Sequence, residues 1–406
     1  MKKISGNPFL KKETGKVSID SVDLSEITQQ YKTPIMIFLE NRIRENIRIF
    51  NVVFNSEFEN FECFYSFKAN FLPEICQIIH SERIGAEIVG LPELKLALKI
   101  GFPPEKIMIG GPYLTEKLIE LSIKYQVKEI IIYDINDLKK VNDIAKRFNH
   151  IQDICIRVNS QKFASKLGVI FDNKNIIALK KAILDYKYIK IKSILSHYST
   201  QMNDIKQYRE NANVIASNLK NLREHGIKID NINFGGGFPE ATVMHQNQLI
   251  NIAKEIKKVL EKYGIIYETI YFEPGRYFVG DAGLFIAKVV RVSENRWVFL
   301  DIGNHICPKF ARCSLRFYNA SKVSEPHKFK TSIAGIIPTD LDVLAKDYFF
   351  NETVTEGDLV IVTNTGAYCL TFSNRFPYIL PKILLINVDN IKIIFDPEQD
   401  KDFSIN

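Results

Sequence analysis

The chain has 406 residues, of which 46% are apolar, 25% charged and 11% aromatic. That balance excludes a disordered, collagen-like or disulfide-scaffold protein and provides core for two or three domains. The net charge of +7 comes from 54 basic and 47 acidic residues interspersed along the chain; with no basic stripe, a lysine-rich surface and no nucleic-acid partner are expected.

The segment Met1–Asp20 begins with Lys2 and Lys3 but holds no apolar signal core. No apolar run approaches the ~20 residues that span a bilayer, so a cytoplasmic chain without a membrane partner is expected. The cysteines at 63, 76, 155, 307, 313 and 369 form no C-x-x-C pair and have no His at the spacing of a structural zinc site. They read as thiols of a reducing compartment, with no metal site.

Short runs rich in β-branched and aromatic residues follow: 64–67, 86–89, 107–109, 130–133, 155–158, 194–197, 232–234 and 270–272. Helical patterns lie between them. In 92–100 Leu94, Ala97 and Leu98 share one face, and Gly101 and Pro103-Pro104 stop the helix. The segment 247–263 repeats the design, with Gly264 as its terminator. Strands alternating with helices at this spacing imply parallel β-α units, and eight of them suggest a closed (β/α)8 barrel. Periodicity alone leaves an open doubly wound sheet as the alternative.

After Arg276 the texture changes. Segments 289–292, 297–300, 359–362 and 383–394 read as strands without long helices between them, a second all-β domain. Ile35-Met36-Ile37-Phe38 precedes the first barrel unit, so the expected division is a barrel over 38–276 and a β-rich domain from 1–37 and 277–406.

Functional residues of such a barrel collect at the C-terminal ends of its strands. Four ends are rich in polar groups: Lys68-Ala69-Asn70, His197, Gly235-Gly236-Gly237 and Glu273-Pro274-Gly275-Arg276. Three glycines let backbone N–H groups approach an anion, and Arg276 after the next strand can grip the same phosphate. Glu273 beside a phosphate makes sense if it faces a basic ring nitrogen of the same ligand. Lys68, set in the apolar run FYSFKAN, is costly to bury as a free cation, and a Schiff base removes that charge. His197 offers a flat face to a planar ring; alone it would read as a core histidine.

These residues resemble the fold-type III pyridoxal-phosphate decarboxylases, the diaminopimelate, ornithine and arginine decarboxylase group. The resemblance runs from about Lys32 to Pro377. It rests on YSFKAN (65–70), GAEIVGLPEL (85–94), SKLGV (165–169), SHYSTQ (196–201), GGG (235–237), EPGR (273–276) and GAY (366–368). The resemblance implies that Lys68 carries pyridoxal phosphate, Glu273 pairs with the pyridine nitrogen and His197 stacks on the ring. It also implies that Gly235, Gly236, Gly237, Gly275, Arg276, Tyr368 and Thr200 hold the phosphate end, and that Glu87 bonds near Lys68. A carboxy-lyase acting as a head-to-tail homodimer with shared sites is the family expectation.

One motif departs. Where the family has G-P-x-C-(D/E)-x-x-D, this chain reads GIIPTDLD over 335–342, with Pro338 in place of the proton-donating cysteine and Thr339 in place of the acidic residue. Cys369 and Asp340 are the candidate replacements for the acid. Without an acidic residue at 339, a simple basic amino acid fits less well. The stretch after Asp301 supplies His305, Lys309, Arg312 and Arg316, which with Thr339 and Asp340 form the candidate substrate site. The expected substrate is a carboxylate-bearing amino-acid conjugate, as in siderophore or other secondary-metabolite assembly. The alternatives are diaminopimelate or a basic amino acid, a racemase on the same cofactor, and a silent partner-binding relative. Glu273 disfavours the racemase, and the retained Lys68 disfavours the silent relative.

Overall fold

The structure, a computed structural model, describes residues 2–4, 6–13, 15–161 and 165–400. Eight parallel strands close into a barrel: Phe61–Ser66, Gly85–Ile88, Ile107–Gly110, Glu129–Ile132, Gln152–Arg157, Ile189–Leu195, Asn231–Asn233 and Thr269–Phe272. The last strand returns to the first, Ile270 opposite Phe61 and Phe272 opposite Cys63, which makes the sheet closed and excludes the open alternative. Each of the eight runs read from the sequence falls in or overlaps one of these strands.

The strands are apolar because both faces are covered. Outward side chains meet helices, while Phe64, Met108, Ile131, Cys155, Leu195 and Tyr271 fill the barrel interior. Helix Gln246–Lys262 buries Leu249, Ile252, Ala253, Ile256, Val259 and Leu260, a stripe at helical spacing. Helix Leu91–Ile100 ends where Gly101 turns left-handed at φ 102°, a conformation that Gly adopts without steric cost.

The second domain is a nine-stranded assembly. Its main path runs Val343–Phe350, Phe329–Ala334, Trp297–Leu300, Gly283–Val292, Ile35–Leu39, Lys382–Asn387 and Asn390–Phe395, with Leu359–Thr363 and Arg316–Asn319 branching from Gly283–Val292. The architecture expected from the sequence is therefore present, a parallel barrel plus a β-rich domain. The run 383–394 is a hairpin rather than one strand, because Val388 at φ 59° turns the chain. A further four-stranded antiparallel sheet covers Lys2–Ile4, Asn7–Glu13, Lys16–Ile19 and Val22–Asp23.

Asp281, next to the chain's exit from the barrel, ties these parts together. Its carboxylate accepts from Arg42 Nη2 at 2.7 Å and Asn46 Nδ2 at 2.8 Å, both on helix Glu40–Glu57. Its backbone carbonyl accepts from Asn7 of the N-terminal sheet at 2.9 Å. The pair is buried, so removing one partner would strand a charge without water.

At the opposite, N-terminal end of the barrel, Glu129 is buried and accepts from Ser193 Oγ at 2.5 Å. Burial pushes its carboxyl up to about 7 from the ordinary 4.5. The folded protein thus keeps a proton that the unfolded chain releases. The resulting stability is complete below about pH 4.5 and is lost as pH rises through about 7. Glu129→Gln should remove this part of the pH dependence, about 3 kcal/mol at most. Denaturant unfolding of the cofactor-free protein at pH 5 and pH 8 measures it: the variant should lose less stability between the two than the parent.

Candidate active site

The C-terminal mouth of the barrel opens into a cavity of about 360 Å³ walled by Lys68, His197, Thr200, Gly236, Gly237, Glu273, Arg276, Arg312 and Tyr368, among others. Strand Phe61–Ser66 runs directly into a 3-10 turn, Phe67–Ala69, that carries Lys68. Phe67 and Ala69 are buried beneath the turn, while the Lys68 side chain reaches into the cavity. Its Nζ lies 2.9 Å from Glu87 Oε2, which also accepts from Ser66 Oγ at 2.5 Å. Burial acts to push the Lys68 ammonium down, but Glu87, with help from Tyr368 and Glu273, raises it overall.

Glu273 follows strand Thr269–Phe272 directly. Asn233, last residue of the neighbouring strand, donates to its Oε1 at 2.7 Å and accepts the Gly235 N–H at 2.8 Å. Burial first, and then the like charge of Glu87, push the Glu273 carboxyl up to about 7; Lys68 and Asn233 oppose this. His197 stands two residues beyond strand Ile189–Leu195. Burial, then Arg157 and Lys68, push it down to about 3. The ring is neutral at working pH, and since its Nδ1 accepts the Gly236 N–H at 3.2 Å, the proton is assigned to Nε2.

The glycine run is required by close approach. A Cβ on Gly236 would lie 2.4 Å from the Glu273 carbonyl oxygen, and one on Gly237, at φ 90°, would lie 2.3 Å from that of Ser199. Arg276 opens a short turn of helix, Arg276–Val279. It donates through Nη1 to Glu240 Oε1 at 3.1 Å and through Nη2 to the Ala311 carbonyl. Its guanidinium centre sits 4.8 Å from the Tyr368 ring centroid. Tyr368 holds a left-handed φ of 69°, and its N–H donates to the Ala69 carbonyl at 2.6 Å, linking the lysine turn to the second domain.

Gly275 also lines the cavity, so the mouth gathers the lysine, histidine, glutamate, arginine, tyrosine, threonine and glycines singled out in the sequence, although Gly235 contributes from just behind the wall. Several other expected residues lie elsewhere. Cys369 is fully buried, with its sulfur 3.5 Å from Cys313 Sγ and 3.9 Å from Cys307 Sγ; these thiols and burial push it well above its ordinary range. It does not line the cavity, which corrects the expectation that it supplies a proton there. His305 is buried with its ring against Tyr378. Arg316, itself exposed, starts the strand Arg316–Asn319 outside the cavity, and Lys309 stands at the turn whose next residues, Phe310 and Ala311, form cavity wall. Thr339 and Asp340 line a different depression with Trp297 and Phe299, on the exposed turn 338–341. Within one chain they do not join the lysine.

The sequence reading missed Arg157, Tyr133, Asn233 and Glu240. Arg157 Nη1 donates to the Tyr133 hydroxyl at 2.8 Å, with its guanidinium 4.8 Å from that ring's centroid. Both influence Lys68, Glu273 or His197 electrostatically. Arg157 and Asn233 end barrel strands and Tyr133 follows one, so reading all eight strand ends would have found them. Glu240 sits in a loop and carried no signal.

Residues 41–280 match the family described as pyridoxal-dependent decarboxylase, pyridoxal binding domain. Over nearly its whole length the chain is 28% identical to a diaminopimelate decarboxylase of Aquifex aeolicus, covering 96% of this chain and 94% of the relative. It is 25% identical to the diaminopimelate decarboxylase of Methanocaldococcus jannaschii, covering 91% and 90%. A crystal structure from Aquifex aeolicus superposes with a TM-score of 0.83 at 26% identity over 96% of this chain and 95% of that one. The site suits the cofactor these matches imply. It offers an amine on a fixed turn, a carboxyl that retains a proton near neutrality, a neutral flat ring and a cradle that any Cβ would fill. Lys68 would hold pyridoxal phosphate by its aldehyde carbon, Glu273 would face its ring nitrogen and the glycines and Arg276 its phosphate.

Gly236→Ala tests the cradle. The added methyl must displace the Glu273 backbone, at about 1–3 kcal/mol. Titration of the cofactor-free variant with pyridoxal phosphate, followed by absorbance of the bound form, should show affinity lowered at least about tenfold. Unchanged affinity would place the phosphate elsewhere.

Proposed function

This chain belongs to the pyridoxal-dependent decarboxylases, and we propose that the amino acid it acts on is of the diaminopimelate type, with a second carboxylate at its far end. The end-to-end relationship to diaminopimelate decarboxylases carries the reading, since it extends through both domains. It is preferred to the larger conjugate expected from the 335–342 departure, because the relatives named above are diaminopimelate decarboxylases.

When bound, pyridoxal phosphate supplies the sink that takes up the electron pair left on the α-carbon as CO2 departs. The protein's part is positioning and proton control. Glu87 fixes the Lys68 amine at the cavity floor. Glu273, aligned by Asn233, keeps a proton available at its carboxyl up to about pH 7. His197, being neutral, would add no cation beside a bound ring to compete with a protonated ring nitrogen. Lys309, beside the wall residues Phe310 and Ala311, is assigned to the substrate's far carboxylate.

The reading includes a homodimer. Thr339 and Asp340, remote from the cavity in their own chain, would reach a site when contributed by a second copy. Asp340 then becomes the candidate proton donor, Pro338 having no proton to give. Among the described residues no helix is long and apolar enough to cross a membrane. We place the enzyme in the cytoplasm, with no nucleic-acid or membrane partner, which the six free cysteines support.

The test is mass spectrometry of the cofactor-loaded enzyme with meso-diaminopimelate, lysine, ornithine, arginine and a carboxylate-bearing diamino-acid conjugate, beside Lys68→Ala. Conversion of diaminopimelate to lysine should exceed every other turnover at least about tenfold in kcat/KM, equivalent to about 1.4 kcal/mol, and should vanish in the variant. Faster loss of CO2 from the conjugate would overturn the substrate and leave the reaction class standing.

A further inference from the structure

We propose that Arg312 is a second cation for the cofactor phosphate, needed because a buried carboxylate neutralises Arg276. This rests on pyridoxal phosphate being the ligand of the cavity. Arg276, the arginine expected at the phosphate, is 5% exposed and its ion-pair partner Glu240 is fully buried. Glu240 also accepts from Ser314 Oγ at 3.3 Å. It is packed against the chain so tightly that a Cβ on Gly280 would lie 2.7 Å from its Cγ. The pair is therefore a fixed part of the wall. With both terminal nitrogens of Arg276 engaged by Glu240 and Ala311, the guanidinium presents little net charge to a ligand. A phosphate monoester brings about 1.5 to 2 negative charges near neutrality, and desolvating that charge beside a neutral pair is costly.

Arg312 stands at the place where a compensating charge is required. Its chain neighbours both touch Arg276: Ala311 accepts from Nη2, and Cys313 Sγ lies 3.9 Å from Nη1. Its own backbone is held, at a left-handed φ of 50°, by Gln201 Nε2 donating to its carbonyl. Gln201 follows Thr200, which lines the same cavity together with Gly236, Gly237 and Arg312 itself. The anchored backbone keeps Arg312 on the cavity wall that also carries the glycines and Thr200 of the phosphate end. Among the described residues no carboxylate is within ion-pair distance of Arg312, so its charge is available. This moves Arg312 from the substrate site, where the sequence placed it, to the cofactor site.

The test compares the affinity of the cofactor-free protein for pyridoxal phosphate and for pyridoxal, which lacks the phosphate. Arg312→Gln should weaken pyridoxal phosphate about tenfold or more and leave pyridoxal unchanged, with Arg312→Lys recovering part of the loss. Glu240→Gln in the Arg312→Gln background should restore affinity, because Arg276 regains its net charge. That compensation is not expected of a residue that merely supports the fold. Pyridoxal phosphate affinity within about twofold of the parent in Arg312→Gln, or equal losses for both ligands, would overturn the assignment. Failure of the parent protein to bind either ligand would instead refute the cofactor reading on which it depends.

Discussion

The pairing of the first barrel strand with the last is the constraint on which the site depends. Phe61–Ser66 and Thr269–Phe272 are about two hundred residues apart in the chain yet adjacent in the sheet. Only when Phe272 lies beside Cys63 do the segments that leave these strands, one holding Lys68 and the other Glu273 and Arg276, open at the same mouth. An open sheet of the same eight strands would leave the amine and the carboxyl at opposite edges. The apolar interior, with Phe64 edge-on to Tyr271, keeps that closure packed.

Closure creates an electrostatic difficulty that second-layer residues resolve. The mouth concentrates Lys68, Arg157 and Arg276 against Glu87, Glu240 and Glu273 in space largely withdrawn from water. Each charge has a specific companion: Lys68 with Glu87, Arg276 with Glu240, Arg157 with the Tyr133 hydroxyl and ring. Glu273 is the exception. It has an amide companion in Asn233 rather than a paired cation, and burial together with the like charge of Glu87 holds its proton near neutrality. A carboxyl so placed is prepared for a ligand that brings its own positive group.

Much of this was legible in the sequence, for a physical reason. Strands covered on both faces are written as apolar runs, and groups at their C-terminal ends must face the mouth, so Lys68, His197, Gly235–Gly237 and Glu273 could be placed by position alone. Glu240 and Arg312 act from loops whose course no periodicity records; their role emerges only when Ala311 and Cys313 are seen against Arg276. Cys369 shows the converse error. Its nearness to Tyr368 in the chain suggested access to the cavity, but successive residues there point to opposite sides, and its thiol faces other sulfurs. In the second domain, Phe329–Ala334 and Val343–Phe350 were missed because their exposed Lys and Asp residues interrupt the alternation that marks a strand.

Strand Ile35–Leu39 lies between Gly283–Val292 and Lys382–Asn387, both contributed by the far side of the barrel in sequence. During synthesis from the N-terminus this strand, apolar and buried at every position, emerges long before either partner exists. The barrel can assemble while it waits, but the β-rich domain cannot. For most of translation the nascent chain therefore carries an unpaired hydrophobic segment, the kind of exposure that chaperones recognise. The strands Lys382–Asn387 and Asn390–Phe395, within the last nineteen described residues, are therefore what the early strand waits for before its sheet can close over it.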